Sequence, residues 1–161
     1  MNRISDPDFG MLDVNHIFDM DRPYEVELFG SKQATRLSVR GRAREAAITD
    51  YQRRAFLQLE REKARFCRET EEALMKYYDS IGGEEYGEYT ALDGTVHEEL
   101  PPISHRNELG SIIELTGIFL RDSADKEQIE FQFECSWIDL GLAVRFVNGQ
   151  FVEVGDQGMM F

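Results

Sequence analysis

Carboxylates are the one reactive side chain that this sequence holds in quantity, with 31 Asp and Glu against 18 Lys and Arg and three His. Their abundance makes any chosen acid–base pair uninformative, because a neighbouring carboxylate is always at hand. The histidines, His16, His97 and His105, form no HxH or HExxH spacing, so no zinc site is expected. His97-Glu98-Glu99 is a local set of metal-ligand types, but it lies in a stretch already full of carboxylates and reads as solvated loop. Glu84, Glu85, Glu88 and Asp93 do not match the twelve-residue calcium loop. No serine sits in a GxSxG elbow, and neither Gly82-Gly83 nor Gly155-Asp156-Gln157-Gly158 has the strand–loop–helix context of a phosphate loop. Cys67 and Cys135 are unpaired by spacing and read as buried thiols. The sequence therefore assigns no catalytic residue, no metal ligand and no cofactor.

Two features suit binding instead. Arg40, Arg42 and Arg44 would project to one side of an extended segment, either as an anion contact or as charges that keep a strand edge from aggregating. Trp137, the only tryptophan, shares its parity with Phe131, Phe133 and Cys135, which favours core packing and leaves an exposed binding anchor as the other reading.

The elements that would position these residues follow from periodicity. Tyr24 to Phe29 and Thr35 to Arg40 alternate apolar with polar residues, the period of a half-buried strand, and pair as a hairpin across the loop Gly30 to Ala34. With Met11 to Val14 they form the N-terminal strands, 9–40. Thr49 and Gln52 make a capping box, and no Gly or Pro follows until Gly82-Gly83. The stripe Phe56, Leu59, Phe66, Ala73, Leu74, Tyr77, Ile81 predicts one long helix over 49–81, about 48 Å at 1.5 Å per residue, with its weakest point at Lys63 to Arg65. Residues 82–107 read as an acidic loop, and Asn107 to Ser111 as a helical turn. The C-terminal strands, 112–161, comprise Ile112 to Leu120, Ile129 to Trp137, and Leu142 to Val154 folded about Asn148-Gly149, the preferred pair of a two-residue hairpin turn. The expected fold is α+β: one domain over 1–161, with antiparallel sheets packed against one long helix.

Charge is distributed unevenly. Residues 1–48 carry seven basic and eight acidic side chains and residues 49–81 seven of each, whereas residues 82–161 carry four basic and sixteen acidic. Most of the net charge of −13 thus lies in the C-terminal half. That disfavours nucleic acid and anionic membrane as partners and suits a basic protein. No apolar run approaches the roughly 20 residues of a membrane span, and Met1-Asn2-Arg3-Ile4-Ser5-Asp6-Pro7 lacks a signal-peptide pattern, so the expected compartment is the cytoplasm.

Phe9-Gly10-Met11-Leu12, Val26-Glu27-Leu28-Phe29-Gly30, Ile48-Thr49 with Gln52, and Tyr77-Tyr78 occur in an order that resembles a family of small bacterial acidic domains of unknown function. The closing part carries the resemblance most specifically: Phe133-Glu134-Cys135-Ser136-Trp137, Gly141-Leu142-Ala143-Val144-Arg145-Phe146 and Val152-Glu153-Val154-Gly155-Asp156-Gln157. Relatives often carry an acidic pair and a histidine between the Trp and the Gly, where this chain has Ile138, Asp139 and Leu140. The resemblance implies a role like that of acidic domains that neutralise toxins in bacterial competition. The leading expectation is a bacterial cytoplasmic protein-binding module of immunity type. It would meet a basic protein through Glu84, Glu85, Glu88, Asp93, Glu98 and Glu99, with Trp137 as its aromatic candidate. Two other readings stand beside it. One is a small carboxylate- or metal-dependent hydrolase. The other is a homo-oligomeric module joined through the helix or the tail Met159-Met160-Phe161.

Overall fold

The computed structural model describes residues 2–15, 19–41, 47–81, 88–90, 92–98, 100–123, 125–135 and 137–156. The first half of the sheet is an up-and-down meander: β1 (Asn2–Asp6), β2 (Gly10–Val14), β3 (Met20–Leu28) and β4 (Ser31–Val39). Two helices follow, α1 (Asp50–Arg61) and α2 (Lys63–Ile81), then the small hairpin β5 (Tyr89–Thr90) and β6 (Val96–His97) and a 3-10 helix, Arg106–Ser111. A second meander closes the chain: β7 (Ile113–Leu120), β8 (Gln128–Cys135), β9 (Ile138–Val147) and β10 (Gln150–Asp156). The meanders join edge to edge in one eight-stranded sheet of order β1-β2-β3-β4-β7-β8-β9-β10.

This architecture corrects the α+β expectation. Among the described residues strand outweighs helix, 46% against 28%, and there is no single long helix packed on a sheet. The helical stretch bends at Glu62 (φ −120°, ψ 28°), close to the weak point in the apolar stripe. The i to i−4 bonds continue through the bend, from Glu62 N–H to Gln58 and from Phe66 N–H to Glu62, while Arg65 grips both Glu62 oxygens. Leu59 and Phe66, on either side of the bend, are both fully buried. Nor is the sheet wholly antiparallel: β4 and β7 run parallel through Leu37↔Ile118, Ser38↔Phe119 and Val39↔Leu120. Parallel neighbours need a long crossover, and the helices supply it.

The β3–β4 turn is also tighter than the expected loop Gly30 to Ala34. Phe29 (φ 56°) and Gly30 (φ 79°) form a two-residue turn of left-handed residues, matching the right-handed twist of the strands. Asn148 (φ 49°) and Gly149 (φ 78°) make the corresponding turn between β9 and β10, as the Asn-Gly pair predicts.

The core lies between the helices and one face of the sheet. Phe56 on α1 stacks on Phe9 at 4.1 Å, and Phe66 on α2 meets Phe146 on β9 edge-on at 4.9 Å. Lys63 donates to the Glu25 carbonyl of β3, while Arg65, two residues on, donates to the Gly149 carbonyl before β10. The third and eighth strands of a flat sheet would stand about 24 Å apart, so the sheet curls round the helices.

Candidate functional site

The acidic stretch is built partly as a hairpin. Tyr89 pairs with His97 and Thr90 with Val96, and between them the Asp93 carboxylate accepts the Thr95 N–H at 2.9 Å, closing an Asx turn. That bond holds the Asp93 carboxyl below its ordinary pKa, so it stays ionised. Glu88, Asp93 and Glu98 are exposed, and with them Leu92 (38%) and Val96 (59%). The hairpin thus presents two apolar side chains among three carboxylates. Glu84, Glu85 and Glu99 lie outside the described residues, as do Arg42, Arg44 and the tail Met159-Met160-Phe161.

Trp137 is not on this surface. It is 7% exposed, with its ring edge-on to Tyr78 at 5.5 Å, and the Tyr78 hydroxyl donates to the Pro101 carbonyl. Its indole is a packing element, not an exposed anchor. Arg40 pairs with Asp19 at 2.6 Å and lies over the Phe119 ring, which ties β4 to β7. Burial pushes the Cys67 thiol up to about 11 and the Cys135 thiol up to about 12, so both are neutral at physiological pH and poor nucleophiles. Among the described residues no three His, Cys, Asp or Glu side chains stand together as metal ligands, and no helix is long and apolar enough to cross a membrane.

One grouping was not legible in the sequence. The chain leaves the hairpin through buried Leu100 and runs to His105, which caps the 3-10 helix by accepting the Asn107 N–H at 3.1 Å. Arg106 then faces α2 across a cleft of about 360 Å³ whose walls include Glu27, Arg68, Glu71 and Asn107. Glu71 is 8% exposed and accepts the Phe29 N–H of the β3–β4 turn at 3.3 Å. Desolvation raises its pKa, and the Arg106 guanidinium offsets this in part. In sequence Glu71 is one carboxylate among several on α2, and its burial depends on residues more than thirty positions away.

The family model for a domain of unknown function, DUF6985, matches residues 8–161 of this chain. No curated protein and no solved structure matches it.

Proposed function

Because the chain belongs to the DUF6985 family of domains of unknown function, its role has to be read from its own surface, and we propose that it is a protein-binding module for a basic partner. The observation that carries this reading is the β5–β6 hairpin, where exposed Leu92 and Val96 are flanked by Glu88, Asp93 and Glu98. Apolar side chains at the centre of a contact supply affinity once water is excluded, while surrounding charge sets approach rate and partner choice. The net charge of −13 acts in the same direction, repelling nucleic acid and attracting a basic protein. A toxin-neutralising role in the bacterial cytoplasm is the form that best fits an acidic surface.

The test compares wild type with the triple variant Glu88→Lys, Asp93→Lys, Glu98→Lys as baits in native bacterial lysate. Wild type is expected to retain a basic protein near one-to-one and shed it as salt rises. The variant should associate at least about tenfold more slowly with the recovered partner at low salt. Equal recovery and equal rates would remove the hairpin from the interface.

A second reading is favoured by β10, which ends the strand order among the described residues and exposes Phe151 (42%) and Val152 (46%). Edge pairing between two copies would make the molecular weight in sedimentation rise with concentration, and a constant monomer would end this reading.

A further inference from the structure

The 3-10 helix Arg106–Ser111 is started by an imidazole acting as a hydrogen-bond acceptor. His105 Nδ1 takes the Asn107 N–H at 3.1 Å, and the Glu108 carboxylate reaches back to accept the His105 N–H at 3.2 Å. The same Glu108 oxygen also takes the Ser104 hydroxyl at 2.9 Å. A serine, threonine or asparagine cap accepts at any pH the fold survives. An imidazole accepts only while it is neutral, because both ring nitrogens of the cation are donors. This cap therefore carries a condition that the commoner caps do not. His105 is exposed, so a proton reaches it without any opening of the fold. Among the described residues its charged neighbours are Glu71, Glu72, Lys76 and Asp79 on α2, with Arg106 and Glu108 beside it in the chain. Carboxylates outnumber cations there, which gives an imidazolium acceptors to turn towards once it has let go of Asn107.

We propose that His105 is a pH-sensitive latch: neutral, it holds the start of the 3-10 helix closed, and protonated, it lets the Asn107 N–H go. The latch does not depend on the proposed binding role. What it holds is one wall of the Glu71 cleft. Arg106 and Asn107 line that cleft, and the Asn107 side chain lies against Gly30 in the β3–β4 turn. The change stays local, because Leu109 is fully buried and its carbonyl still takes the Ile112 N–H at 3.0 Å. Acidification through the imidazole range, about pH 8 to 5, thus loosens residues 105–108 and leaves the sheet and the core in place. Loss of one side-chain cap multiplies local opening about fivefold.

The test follows the full chain by NMR between about pH 8 and pH 5. It reads the His105 ring nitrogens and the protection of the Asn107 amide, corrected for intrinsic exchange. At the upper end Nδ1 is expected to resonate as a bare ring nitrogen, with the proton on Nε2. As pH falls, Asn107 protection should drop about fivefold, with the same midpoint as the ring signal. His105→Asn, which caps without titrating, should keep Asn107 protected and flatten its pH dependence across the range. The double variant His16→Gln, His97→Gln should keep the wild-type response, which assigns that response to His105. Three results overturn the proposal: a proton on Nδ1 at the upper end, Asn107 protection indifferent to the ring titration, or an unchanged pH response in His105→Asn.

Discussion

Arg53 gathers two carboxylates from the start of the chain: Asp6, at 2.8 and 3.0 Å, and Asp8, at 2.6 Å. Asp6 also accepts the backbone N–H groups of Asp8 and Phe9, so one side chain shapes the β1–β2 turn and fastens it to α1. The Arg53 bond is the main reason the Asp6 carboxyl is held down to about 2. A depressed carboxyl contributes stability above its ordinary pKa and loses it as pH falls through the folded value. Arg53→Met should therefore cost about 1 kcal/mol at pH 7, allowing for screening by water. That cost should fade between about pH 4 and pH 2, as urea midpoints at both ends of the range would reveal. Glu71 has the opposite sign. Its raised pKa means that ionisation costs stability as pH rises, so Glu71→Gln is expected to leave stability at pH 7 unchanged or higher. Any gain should shrink on acidification past the ordinary carboxylate range. A marked loss at pH 7 would show that Glu71 is worth more as a charged anchor than its surroundings suggest. Neither residue's role is visible in sequence, because each depends on partners brought together only by folding.

Local elements were legible where local chemistry decides them. The capping box reads directly from Thr49 and Gln52, and both reciprocal bonds form, at 3.1 and 2.9 Å. Sequence did not show that Gln52 also donates to the Arg40 carbonyl at 2.8 Å, tying the helix start to the end of β4. The Asn148-Gly149 turn was equally plain, since left-handed backbone suits those two residues. Phe29-Gly30 was not, because a bulky aromatic rarely sits at positive φ; here the Glu71 carboxylate takes its N–H and the ring lies against Gly110. The β5–β6 hairpin was missed for a different reason: two-residue strands in an acidic stretch leave no periodicity to read. Gly149 provides the test at this scale. A Cβ there would clash with the Gln58 side-chain nitrogen, on backbone at φ 78°. Gly149→Ala should destabilise by about 1–2 kcal/mol, chiefly through the left-handed conformation, since Gln58 can move aside. A neutral result in denaturant unfolding would mean that the turn relaxes into another type.

At the scale of the molecule, the parallel seam between β4 and β7 decides how the two meanders cooperate. Only three residue pairs register across it, and nothing in either strand's sequence names the other as neighbour. The seam depends on what lies over it. Gln52 bonds to both strand ends, donating to Arg40 and Leu120 carbonyls, and one continuous core runs from Phe9 through Phe56, Leu59 and Phe66 to Phe146. Because the helices pack on both meanders, neither half can open without exposing core aromatics of the other. The chain should therefore unfold in a single transition. Trp137 reports on the second meander, and amide exchange at Tyr24 to Val39 reports on the first. The free energies from Trp137 fluorescence and from the slowest of those amides are expected to agree. Phe66→Ala, which empties the contact with Phe146, should lower both by about 3–5 kcal/mol. If the first-meander amides kept their protection while the Trp137 signal weakened, the two meanders would be separate cooperative units. The acidic hairpin and the Glu71 cleft would then be carried by helices whose seating follows the weaker half.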